Sequence, residues 1–128
     1  MESLLGHCAT CARPFHDRKS WRARAVSHEV KYCSASCRRS KPKAWDRALE
    51  ERLSALLAEA QPARQELKSV VERLRLEAER ERQRLVWAMR RLAVQGLISL
   101  YQEGRAVEPG SAKGALALEL SPEGRAAR

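Results

Sequence analysis

The chain has 128 residues, 44% of them hydrophobic, and a formal net charge of +9, which suits one medium domain or two very small ones. No apolar run approaches the ~20 residues that a membrane span needs. Met1 to Cys8 is too short for a secretory signal and lacks its basic start, so a soluble cytoplasmic protein with no membrane partner is expected.

The charge is uneven along the chain. Residues 1–47 carry 11 Lys/Arg against 4 Asp/Glu, and residues 48–128 carry 14 against 12. A basic surface favours a polyanion such as nucleic acid, although the same charge also serves plain solubility.

Residues 1–41 are rich in Cys, His, Arg and aromatic side chains and show little periodicity. Four of the six aromatic residues (Phe15, Trp21, Tyr32, Trp45, Trp87 and Tyr101) fall in the first 45 positions. This stretch buries too little area to fold unaided and needs a staple. Cys8-Ala9-Thr10-Cys11 is a C-x2-C knuckle and Cys33-Ser34-Ala35-Ser36-Cys37 is C-x3-C, with 21 residues between the pairs. Such spacers let both sulfurs of a pair reach one ion, and four thiolates are a common shell for structural zinc. One structural Zn²⁺ held by Cys8, Cys11, Cys33 and Cys37 is therefore expected.

The alternatives fit less well. A disulfide framework belongs to exported proteins. A redox C-x-x-C opens a helix in a βαβ unit, which is not visible here. The spacing matches neither common ferredoxin run. With four thiolates available, His7, His16 and His28 are expected to be non-ligating. A filled shell leaves no open position for catalytic zinc. No G-x-S-x-G, phosphate-cradling glycine loop or clear carboxylate pair stands out either, so neither an enzyme nor a small-molecule substrate is expected.

From residue 42 the chain becomes periodic. Residues 42–61 read as a helix with Pro42 in its first turn. Leu49, Leu53, Leu56, Leu57 and Ala60 form its buried face, and Pro62 ends it. Residues 63–95 contain no Gly or Pro and carry two apolar stripes, Leu67/Val70/Val71/Leu74 and Leu85/Met89/Leu92. A turn or kink is placed in the charged stretch Glu77 to Arg84, giving two helices. One continuous helix is the alternative, which the i,i+3 pairs Glu77–Arg80, Glu79–Arg82 and Glu81–Arg84 would support.

Gly96 stops the last helix. Residues 97–101 read as a strand with Ile98 and Leu100 on one face, 102–114 as a loop, and 115–120 as a second strand with Leu116, Leu118 and Leu120 alternating. Residues 121–128 look like a frayed tail. The expected fold class is α+β, mainly helical: a small four-cysteine zinc finger over 1–41, then a winged helix-turn-helix over 42–121 with three helices and a C-terminal β-hairpin, and a flexible tail over 122–128. A winged helix usually has a short strand between its first two helices. Here only Gln61-Pro62-Ala63 offers room for one.

The first 40 residues resemble a small bacterial zinc-finger family of unknown function with the pattern C-x2-C-x-R-P-F, a basic segment with tryptophan, then V-x-Y-C-S-x2-C-R. The matching residues are Cys8, Cys11, Arg13, Pro14, Phe15, Arg18, Lys19, Trp21, Val30, Tyr32, Cys33, Ser34, Cys37 and Arg38. Where the family usually has a second tryptophan, Ala25-Val26-Ser27-His28 stands here. Residues 46–120 are similar to a second bacterial family of unknown function, thought to be winged-helix. That likeness rests on Leu56-Leu57-Ala58, Arg90-Arg91-Leu92-Ala93 with Gly96-Leu97-Ile98, Gly104-Arg105, and Ala112-Lys113-Gly114. The resemblances imply the architecture and the zinc, and no reaction.

The first functional expectation is nucleic-acid binding, DNA ahead of RNA, by a regulator or accessory factor. In a helix-turn-helix the third helix faces the major groove. With Leu85, Met89 and Leu92 inward, Gln83, Trp87, Arg90 and Arg91 lean outward. Arg105 and Lys113 sit on the wing, and Arg38, Arg39, Lys41 and Lys43 form a basic run beside the zinc. The alternative is a protein-interaction adaptor with the two modules as docking surfaces and Trp87 or Leu76 as an exposed anchor.

Overall fold

This computed structural model describes residues 4–16, 31–112 and 114–128, and among them are five helices and two small antiparallel sheets. Among these residues no helix is long and apolar enough to cross a membrane.

Strands β1 (Leu4–His7) and β2 (Pro14–His16) pair antiparallel around the tight turn that carries Cys8 and Cys11. Ala12 adopts a left-handed φ of 63° there. Its N–H donates to the Cys8 carbonyl at 2.9 Å, while the Cys8 N–H donates to the Arg13 carbonyl at 2.8 Å. Helix α1 (Ala35–Arg39) starts at Ser34, whose hydroxyl accepts the Cys37 N–H at 3.2 Å, satisfying one of the orphan donors of a helix start.

Helix α2 (Ala44–Glu59) buries Leu49, Leu53 and Leu57 completely, as the 3.6-residue spacing predicts, with Leu56 only half-buried. Its cap is Lys43, whose N–H donates to the Asp46 carboxylate at 2.9 Å. Pro42 therefore precedes the cap instead of lying in the first turn. A two-residue strand, β3 (Gln65–Glu66), follows just beyond the segment where the sequence leaves room for one.

Residues 63–95 contain two helices, α3 (Leu67–Arg73) and α4 (Glu79–Val94). The turn falls at residues 74–78, upstream of most of the charged stretch expected to hold it. Arg75 takes the left-handed φ of 56°, and the Leu76 N–H closes back on the Val71 carbonyl at 3.2 Å. This C-terminal turn usually takes glycine, so its position was not legible. Glu81 accepts the Ala78 N–H at 3.2 Å and Glu79 pairs with Arg82 at 3.0 Å. The acidic residues thus begin α4 rather than bridge a continuous helix, in keeping with the positive end of the helix dipole.

Gly96, at φ 79°, ends α4 as expected: its N–H donates to Ala93 at 3.0 Å and the Leu97 N–H to Leu92 at 2.9 Å. Strand β4 (Ile98–Gln102) then turns at Glu103-Gly104, both with positive φ, into β5 (Arg105–Ala106). A hairpin therefore occupies the start of the expected loop. A 3₁₀ turn (Pro109–Ser111) leads to β6 (Ala117–Leu120), whose Leu118 and Leu120 are buried together with Leu116. The four-stranded sheet has the order β3-β6-β4-β5.

Residues 122–126 are not frayed. They form helix α5 (Pro122–Ala126), capped by the Ser121 hydroxyl, which accepts the Gly124 N–H at 2.9 Å and donates to the Gly96 carbonyl at 2.6 Å. Gly124 is needed there, since a Cβ would lie 2.0 Å from the Leu97 carbonyl oxygen. One aliphatic core, centred on Leu53, Leu57, Val70, Leu85, Met89 and Leu118, joins α2, α3, α4 and the sheet. A second, separate cluster surrounds the cysteines. Leu76 belongs to the aliphatic core at 4% exposure, so it is no surface anchor.

Candidate metal centre and the surface around it

The β1–β2 turn supplies Cys8 and Cys11; the start of α1 supplies Cys33 and Cys37. Their four sulfurs all lie within 4.8 Å of one another, with Cys11–Cys33 at 3.7 Å and Cys33–Cys37 at 3.6 Å. A disulfide would need about 2.05 Å, and none of the four cysteines forms one. Four sulfurs at the corners of a tetrahedron with metal–sulfur bonds of about 2.3 Å stand about 3.8 Å apart, so the donor set fits one metal ion.

The electrostatics point the same way. Burial pushes the Cys8 thiol up, but hydrogen bonding from the backbone of Cys11, Cys33 and Thr10 outweighs it and brings the thiol down to about 7. Burial pushes Cys11 and Cys37 up, and the charge of neighbouring thiolates adds to the rise. The neighbours that oppose ionisation of Cys11 and Cys37 become compatible with it once a cation sits among the sulfurs. His7 is outside this group and stands 3.9 Å from Glu108. The side chain of His16 and all of His28 lie outside the described residues.

Phe15, Tyr32 and Trp87 pack around the thiols. The Thr10 hydroxyl donates to the Cys37 carbonyl at 2.7 Å and so ties the knuckle to α1. Arg91 reaches across from α4: Nη1 donates to the Thr10 carbonyl, and Nε lies 3.4 Å from Glu50 of α2. Gly110 lies close against β2, where a Cβ would stand 2.2 Å from Pro14 Cδ. The cysteine-bearing segment is thus seated on α4 and on the Pro109–Ser111 turn.

This seating overturns the outward placement of Arg90 and Arg91. Both are buried, at 8% and 5% exposure. Arg90 donates through Nε and Nη2 to the Ala112 carbonyl at 3.1 and 2.7 Å. Burial lowers the proton affinity of both guanidinium groups, with Glu50 opposing this at Arg91, yet arginine stays charged in proteins. Hydrophobic periodicity sorts these positions as polar and hence outer. An arginine can instead bury its stem and pair its fork inside, Arg90 with the Ala112 carbonyl and Arg91 with the Thr10 carbonyl and Glu50. Trp87 is half-buried against the thiols rather than open to solvent.

Arg38, Arg39, Lys41, Lys43, Gln83 and Arg105 are exposed, as the sequence predicts, and the first four form a continuous basic run beside the metal centre. Lys113 lies outside the described residues. Two contacts escaped sequence reading. Arg84 grips Asp46 with two N–H groups, Nη2–Oδ2 at 2.8 Å, and also reaches the Ser40 carbonyl at 3.1 Å. Burial alone would raise the Asp46 carboxyl, but Arg84 and the Lys43 N–H hold it below its usual range. Only the acid at the third position after Lys43 hinted at a role for Asp46. Nothing local hints at Glu50 or Thr10.

Residues 6–40 match the model of a family described as an uncharacterized protein conserved in bacteria (DUF2256). That match and the four-cysteine cluster fit a zinc-finger-like family of unknown function. No curated protein matches the chain.

Proposed function

We propose that this protein is a zinc-dependent nucleic-acid-binding protein. In this reading Cys8, Cys11, Cys33 and Cys37 hold one structural zinc, and a winged-helix-like body carries the finger. The observation that carries it is the adjacency of a complete four-thiol shell and the exposed run Arg38, Arg39, Lys41 and Lys43. Zinc would offset two of the four thiolate charges and hold the knuckle against α1. Because the thiols fill a four-coordinate shell, the reading is non-catalytic.

The winged-helix assignment is supported by the order of elements from α2 onward: helix, strand, helix, helix, strands. It is supported further by the pairing of β3 with β6, which brings the strand between the first two helices into the hairpin's sheet. In such a body the third helix commonly reads the major groove. Here the Trp87–Arg91 part of α4 is covered, so contact through α4 would fall on its exposed start, where Arg80 and Gln83 lie. The remaining affinity would come from phosphates.

A protein-interaction adaptor is the second reading. A groove of about 760 Å³, lined by Leu67, Val71, Leu116 and Ala117 between α3 and the sheet, favours it. Salt separates the two. Binding of random duplex and single-stranded probes in gel shifts should weaken steeply as salt rises, because counterions are released. An absence of any retained complex at low salt would remove the nucleic-acid reading.

A further inference from the structure

With the Trp87–Arg91 face of α4 covered by the cysteine segment, the open end of α4 meets a cleft of about 360 Å³ formed with α1 and the start of α2. This size is at the lower end of small-ligand pockets, about 300–1,000 Å³. Trp45 lines it at 42% exposure and is one of only two exposed large hydrophobic residues among those described. An indole left 42% exposed in a cleft keeps part of its ring open as a flat stacking face.

The charges around it are unequal in their freedom. The two acids in the wall are already committed: Asp46 to Arg84 and to the Lys43 N–H, and Glu81 to the Ala78 N–H. The exposed cations Arg39, Lys43 and Arg80 have no carboxylate within ion-pair distance among the described residues. Three such cations around one open aromatic ring match a planar base flanked by phosphates. Bases stack on aromatic side chains regardless of sequence, while a positive rim tracks the backbone. A base within a duplex is already stacked on both faces, so the ligand must be unpaired.

We propose that this cleft takes one unpaired base of a nucleic-acid strand on the Trp45 ring, with the adjoining phosphates held by Arg39, Lys43 and Arg80. The inference rests on the nucleic-acid reading above and specifies its contact.

The test uses the full metal-loaded chain and fluorescence anisotropy of a labelled oligothymidylate of about twelve nucleotides, compared with a duplex of the same length. Trp45→Ala should weaken single-strand binding about tenfold, the range of one lost base stack. Trp45→Phe should retain most of it, and duplex binding should change little in either variant. Trp45 is more than half covered, so Trp45→Ala should lower the melting temperature modestly while circular dichroism shows it folded, and Trp45→Phe should stay close to wild type.

Single-strand affinity unchanged in Trp45→Ala but reduced in Arg39→Ala/Lys43→Ala would overturn the stacking site and leave the nucleic-acid reading intact. Wild-type protein that binds neither probe would overturn both. Free thymidine monophosphate competing as well as the oligonucleotide would overturn the assignment to a strand.

Discussion

The cysteine-bearing segment and the body that begins at Ala44 bury their centres by different means. In the body, leucines at helical and alternating spacing close an aliphatic core. Several of its members, Leu53, Leu57, Val70, Leu85 and Leu118, are at 0% exposure, and each contributes about 2 kcal/mol by removal from water. In the first segment the buried centre is four sulfurs with Phe15, Tyr32 and Trp87 at its edge, and Trp87 is borrowed from the body. The body can hold its shape by apolar burial. The first segment has four sulfurs that could hold an ion, and it leans on α4 for the rest of its cover. The difference teaches that the cysteine-bearing segment is less an independent bead than a cap on α4.

The largest expected effect breaks the first segment alone. Cys33→Ser should abolish bound metal and leave residues 6–40 unfolded, since zinc binding and folding of such modules are one event worth about 10–16 kcal/mol. Metal analysis and circular dichroism check this: metal is lost, and most helical signal stays. If the helices melt as well, the contrast between the two regions collapses.

Next comes the seam. Arg91→Ala should cost about 1–3 kcal/mol, because it leaves the buried Thr10 carbonyl without its donor while Glu50 keeps its ion pair with Arg47. Thermal unfolding should show the loss, and an unchanged melting temperature would mean that the cap is not seated on α4. An Arg91 placed on the surface would have predicted the opposite. Leu53→Ala, inside the body, should cost about 2–5 kcal/mol and leave the metal stoichiometry at the wild-type value.

A smaller effect concerns Asp46, which joins α2 to Arg84. Its carboxyl is held below the ordinary value, so it stabilises the fold fully above the unfolded value of about 4. That contribution is lost as pH falls through the lower folded value. The stability gap between wild type and Asp46→Asn, followed by denaturant titration, should therefore be widest near neutrality and shrink below about pH 4. A constant gap would remove the ion pair from the account. Smallest of all, Arg105→Ala on the exposed hairpin should shift stability by no more than about 0.5 kcal/mol.

What could be read in advance follows the range of the signal. The thiol shell was legible because C-x2-C and C-x3-C are local spacings with one common chemistry. The faces of α2 and β6 were legible because Leu49, Leu53 and Leu57, and then Leu116, Leu118 and Leu120, repeat at the periods of a helix and a strand. Helix α5 was missed although Ser121-Pro122-Glu123 carries a cap and a first-turn proline; five residues are too few for periodicity to show.

The seam between the regions was illegible in principle. Arg91 and Thr10 are 81 positions apart, and their bond depends on α4 and the knuckle being brought together first. That contact, and the bonds of Arg90 to the Ala112 carbonyl, bury two arginines expected on the outer face of α4. Their burial moves the open basic surface toward Arg39, Lys43 and Arg80.

Native mass spectrometry of the purified full chain addresses the metal most directly. One zinc per chain is expected, released by acid or chelator together with a shift toward the high charge states of a partly unfolded protein. A metal-free chain that keeps the narrow charge-state distribution of a fully folded one would contradict the account.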